Sequence, residues 1–140
     1  MMPEINYYAI LACAVAAMVL GFIWFGPLFG KKWMELMNVG PQTPEEIKKA
    51  QRAMMPTYII TFVLAFFQAW VLAYYIGGWK EASGVENSLW IWAAFVVPTV
   101  FGATMWNGSS NKVAWSRFAI QGGNYLVLFI IFGLILGNWK

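Results

Sequence analysis

The chain has 140 residues, of which 61% are hydrophobic, 19% aromatic and 11% charged, with a formal net charge of +3 and no histidine. That composition is too apolar for a soluble domain to cover with a polar surface, so the solvent it fits is lipid. One cysteine, Cys13, leaves no partner for an intrachain disulfide or a redox pair.

The nine basic and six acidic residues fall in clusters and leave four charge-free stretches, 5–25, 54–76, 89–106 and 118–136. The first alone, at roughly 1.5 Å per residue, spans about 31 Å against a hydrocarbon core of about 30 Å. Backbone polar groups must be satisfied internally in lipid, and the apolar/polar alternation of a barrel is absent, so the expected fold is an all-α integral membrane protein of four transmembrane helices, a single membrane domain over 1–140.

Stretch 5–25 has no basic region before it and stays apolar past Cys13, which reads as a retained helix rather than a cleaved signal. Ala9, Cys13, Ala17 and Gly21 place a small residue at every fourth position, a spacing that lets backbones approach. It closes in GFIWFGPLFGKKW at 21–33, where Trp24 and Trp33 read as interface anchors, Gly26 and Pro27 as the helix end, and Lys31 and Lys32 as the charges that hold that end in place.

In the connection 26–53, Thr43, Pro44 and Glu46 form a helix-start signature: N-cap, first-turn proline and capping-box partner. A short helix over about 44–53 follows, with Ile47, Ala50 and Met54 on one face and Lys48 and Arg52 on the other. It reads either as a cytoplasmic interfacial helix feeding the second span or as a plain solvated helix. Pro56 cannot donate to the Arg52 carbonyl, so a bend is expected there.

The second span, 54–76, carries Gln68. The third, 89–106, carries Pro98, which frees the Ala94 carbonyl and predicts a kink that serves either a cavity or packing. The fourth, 118–136, ends near Gly133 and Gly137, another small-residue pair. Lys and Arg concentrate in the first and third connections, which places those in the cytoplasm and both termini outside.

Spacing also repeats. Trp24, Gly26 and Trp33 match Trp106, Gly108 and Trp115, and GlyGlyTrpLys at 77–80 matches GlyAsnTrpLys at 137–140. The expected architecture is therefore two tandem parallel helix-hairpin repeats with pseudo-two-fold symmetry about the membrane normal.

GFIWFGPLFGKKW after an Ala-rich helix, with GlyGlyAsnTyrLeuVal and GlyLeuIleLeuGlyAsnTrp in the fourth span, resembles the bacterial membrane family known as domain of unknown function 1761. The resemblance covers nearly the whole chain. It implies a small four-helix membrane protein, in the bacterial inner membrane, and carries no activity with it.

No Asp, Glu, Lys or Arg lies inside the four stretches, which removes the intramembrane titratable group that ion-coupled carriers use, and no cofactor, metal site or enzymatic activity is expected. The remaining polar groups define a candidate ligand-binding vestibule: Trp24, Thr104, Trp106, Asn107, Arg117, Gln121, Asn124 and Tyr125, whose amides and indoles donate without charge. The same groups also serve as interhelical glue. Two functions follow: a small uncoupled channel or carrier for a neutral or anionic solute, or a non-catalytic scaffold that binds lipid or protein. Membrane lipids and a second copy are the expected partners, with no nucleic acid.

Overall fold

The computed structural model describes residues 4–106, 108 and 110–139, and among these there is no strand. In chain order the helices are α1 (Tyr7–Ile23), α2 (Gly30–Leu36), α3 (Pro44–Ala53), α4 (Met55–Gly78), α5 (Gly84–Ile91), α6 (Val97–Met105) and α7 (Asn111–Asn138). A π-helical turn, Trp24–Leu28, extends α1, and a second, Trp92–Val96, joins α5 to α6. Four rods are thereby long and apolar enough to cross a membrane: Tyr7–Leu28, Met55–Gly78, Gly84–Met105 and Asn111–Asn138.

Side-chain caps set four of the helix starts by accepting amides that have no partner within the first turn. Asn6 Oδ1 accepts the Tyr8 and Ala9 N–H at 3.1 and 3.3 Å, which makes this residue a cap for α1. Thr43 Oγ1 accepts from Glu46 at 3.2 Å, with Pro44 in the first turn of α3. Ser83 and Ser110 do the same for Glu86 and Val113, at 3.1 and 3.4 Å. The third and fourth rods consequently begin well before the charge-free stretches 89–106 and 118–136, taking Glu86, Lys112 and Arg117 into their ends. A charge ends a hydrocarbon-compatible run without ending a helix; α7 at about 1.5 Å per residue outruns a core of about 30 Å by several residues.

The prolines act differently from a simple helix stop. Gly26 and Pro27 lie inside the first π-helical turn, and the chain changes direction only at Phe29. Its N–H reaches back five residues to the Trp24 carbonyl at 2.9 Å. Ahead of Pro98 the second turn closes in the same way, Val97 N–H to the Trp92 carbonyl. A helix widened by one residue is a common accommodation of a nearby proline. At the second span the bend falls on Met54, and Pro56 sits in the first turn of α4, where its missing N–H costs nothing.

Neighbouring rods run antiparallel. Phe22 near the end of α1 meets Tyr58 near the start of α4, and Phe101 near the end of α6 meets Phe118 near the start of α7. α7 is the central element: it packs on α1, α2, α4, α5 and α6, whereas α4 rests chiefly on α1. The core gathers Ala9, Ile10 and Cys13 of α1, Ala69, Leu72 and Ile76 of α4, and Leu128, Phe129, Phe132 and Leu136 of α7. It occupies the half of the bundle where α1 begins and α4 and α7 end.

In that half α5 crosses α7 with backbones in contact. A Cβ on Gly133 would stand 2.7 Å from both the Gly84 carbonyl and Val85 Cα, and Gly137 also lies against Gly84. The small residues of α7 thus permit a close approach to α5. Beside the crossing, Ser88 Oγ donates to the Gly84 carbonyl at 2.8 Å, and buried Asn87 Nδ2 donates to the Trp79 carbonyl at 3.1 Å, tying the 79–83 turn to α5.

Candidate functional site

The vestibule residues expected from sequence fall into three groups. Trp24, Thr104 and Arg117 are engaged structurally. Trp24 Nε1 donates to the Ile120 carbonyl at 2.9 Å, and its ring lies over Gly123, where a Cβ would come within 3.2 Å of the indole. Thr104 is buried and donates to the Val100 carbonyl of its own helix at 2.8 Å. Arg117 Nη2 donates to the Leu36 carbonyl, fastening α2 onto α7. Trp106 stands outside the bundle, 85% exposed, and Asn107 lies outside the described residues.

Gln121, Asn124 and Tyr125 form the third group. Their side chains make no hydrogen bond among the described residues, and Asn124 Oδ1 is fully buried. They occupy the stretch of α7 that two tryptophans clasp, because Trp92 Nε1 also donates to this stretch, at the Gly122 carbonyl, 3.2 Å away. Both π-helical turns therefore begin on a tryptophan whose indole binds a carbonyl of α7. Trp92 was not singled out by the sequence pattern; one tryptophan among nine in apolar surroundings carries no positional mark.

The two Trp-x-Gly motifs share part of their geometry. Trp33 packs edge-on against Phe25 and Trp115 against Phe101, with ring centroids 5.1 and 5.9 Å apart. Gly26, however, is helical, while Gly108 takes a left-handed φ of +78°.

A different concavity is better formed. Between α4, the third rod and α7 lies a groove of about 430 Å³. Its α4 wall is Phe67, Gln68, Val71 and Leu72; Phe95, Val96 and Thr99 supply the facing wall, and Tyr125 and Phe129 the floor. The widened turn Trp92–Val96 carries Phe95 and Val96, so the helix irregularity forms part of the groove itself.

The groove is apolar apart from three side chains. Thr99 Oγ1 is satisfied by the Phe95 carbonyl at 2.6 Å. Gln68 and Tyr125, each near the middle of its helix, have no hydrogen-bond partner among the described residues, and Gln68 is exposed on the outer surface of α4. An unpaired carboxamide in hydrocarbon costs on the order of several kcal/mol. Of the residues expected in the vestibule, Tyr125 alone belongs to this groove. Sequence marks Gln68 as polar within an apolar span; it gives no sign of the three phenylalanines, which look like any other membrane-facing aromatics.

Four antiparallel apolar rods, three of them packed around α7, with an uncharged groove at mid-depth, define a small helical bundle of the membrane-embedded class. The chain belongs to the family described as protein of unknown function (DUF1761), whose model matches residues 8–137. No curated protein and no solved structure matches it.

Proposed function

We propose that this protein is a non-catalytic membrane binding protein that takes a small, largely apolar ligand from the bilayer into the groove between α4, the third rod and α7. The groove itself carries the reading. Its volume of about 430 Å³ lies in the range of about 300–1,000 Å³ typical of small-molecule sites, and aromatic walls with a few convergent polar groups are the usual composition of such sites. It opens toward lipid, so a ligand enters laterally without crossing a polar layer.

Binding fits the geometry better than passage of a solute. A channel or carrier would draw on Trp24, Thr104, Trp106, Asn107, Arg117, Gln121, Asn124 and Tyr125; of these, Trp24, Thr104 and Arg117 are spent on interhelical or intrahelical bonds. In the membrane we place both termini outside, from the lysine and arginine distribution, so that α2 and α3 face the cytoplasm. A duplicated hairpin is supported by the like ends of α4 and α7, where Trp79 and Trp139 each close the helix through an N–H to the carbonyl four residues back.

The test is native mass spectrometry of protein released from nanodiscs. Wild type is expected to retain a small lipophilic molecule that Val71→Trp, which fills the groove from the exposed face of α4, does not retain. Equal retention by both would end the groove reading.

A further inference from the structure

Which ligand belongs in this groove is written in the two groups that have no hydrogen-bond partner among the described residues, given that the groove is the binding site. Gln68 and Tyr125 sit near the middle of their helices, far from headgroup depth, and neither bears charge. A phospholipid carries its polar atoms at the interface and would leave both groups unsatisfied. A pure hydrocarbon would do the same. The occupant must bring a neutral hydrogen-bonding atom into the hydrocarbon.

The donors sharpen the class. Gln68 offers an amide N–H and Tyr125 a phenolic O–H, both of which suit a carbonyl oxygen. Phe67, Phe95 and Phe129 line the same groove, and a planar ring packs against phenylalanine in offset or edge-on fashion. We infer that the groove holds a neutral, carbonyl-bearing ring with an apolar tail, of the alkylated benzoquinone class, with Gln68 and Tyr125 binding its oxygens. The assignment concerns binding alone. It also accounts for an otherwise costly feature, an exposed glutamine within a membrane span.

The experiment compares decyl-benzoquinone with decylbenzene, matched in tail, ring size and planarity, in nanodiscs of one lipid composition, with occupancy read by native mass spectrometry. Wild type is expected to favour the quinone by about ten- to a hundredfold, the effect of two net hydrogen bonds. Gln68→Leu and Tyr125→Phe should each shrink that preference while still binding decylbenzene, and Val71→Trp should lose both probes. Elution as a single folded species and an unchanged melting temperature verify each variant, and having two independent variants guards against one misfolding.

Equal occupancy by both probes in wild type, lost in Val71→Trp, overturns the carbonyl assignment and leaves the groove as a site. Binding that ignores Val71→Trp, or no binding of either probe, overturns both. A dimer that Gln68→Leu dissolves, with neither probe bound, assigns the carboxamide to a second copy of the chain and likewise overturns the proposal.

Discussion

At the crossing of α5 and α7 a hydrogen atom is all that position 133 accommodates, because the atoms facing it are the backbone of Gly84 and Val85 together with Ser88 Oγ. Gly133→Ala must push two helix backbones apart, at a cost of about 1–3 kcal/mol for such overpacking. Gly122 is the control: it too is buried, yet a Cβ there meets nothing within 4 Å. Gly122→Ala should therefore be neutral or stabilising by up to about 1 kcal/mol through helix propensity. Denaturant titration in mixed micelles distinguishes the two, and equal losses would refute the packing account. Sequence shows Gly133 and Gly137 as a spaced small pair, but it does not distinguish a glycine pressed against backbone from one facing open space. The same limit applies to polar side chains. Asn6 lies within the charge-free stretch 5–25, and only geometry makes it a cap; Gln68 reads as polar within a span, and only geometry leaves it in a groove without a hydrogen-bond partner among the described residues.

Among the α-helices, α3 stands alone in having no buried residue, so its stability rests on local terms. Removing the Thr43 cap should cost about 0.5–2 kcal/mol, confined to that helix. In Thr43→Ala, amide exchange over 46–53 is expected to quicken while exchange in α4 stays as it was; protection unchanged in α3 would show the cap to be idle. The helices as such are legible, since runs of uncharged apolar residues admit few alternatives in lipid. Their true lengths are less so. SerGlyValGlu at 83–86 is itself a capping signature, outweighed in a hydropathy reading by Glu86. The π-helical turns leave only a proline as their mark, and a proline is equally compatible with a stop, a kink or a widened turn.

For the whole molecule, the lysine and arginine distribution carries a direct expectation about orientation. With Cys13 replaced by Ala, a single cysteine at Glu81 should react with an impermeant thiol reagent added outside intact cells, and one at Gln42 should react only after lysis; the reverse pattern would invert the assignment. Both positions are exposed, so reactivity reports the side of the membrane rather than burial. The apolar class and the number of spans follow from charge spacing. How the spans are arranged does not, because every rod is apolar on all sides and lipid exerts little hydrophobic preference for one face over another. Hence α7 could not be recognised in the sequence as the hub. That position has a consequence for assembly. Of the four rods α7 emerges last from the ribosome, and until it does the third rod lacks its main neighbour while the first two already form a pair. Insertion therefore produces a hairpin and a lone helix before it produces a bundle, and the groove, whose floor is α7, exists only after the final crossing.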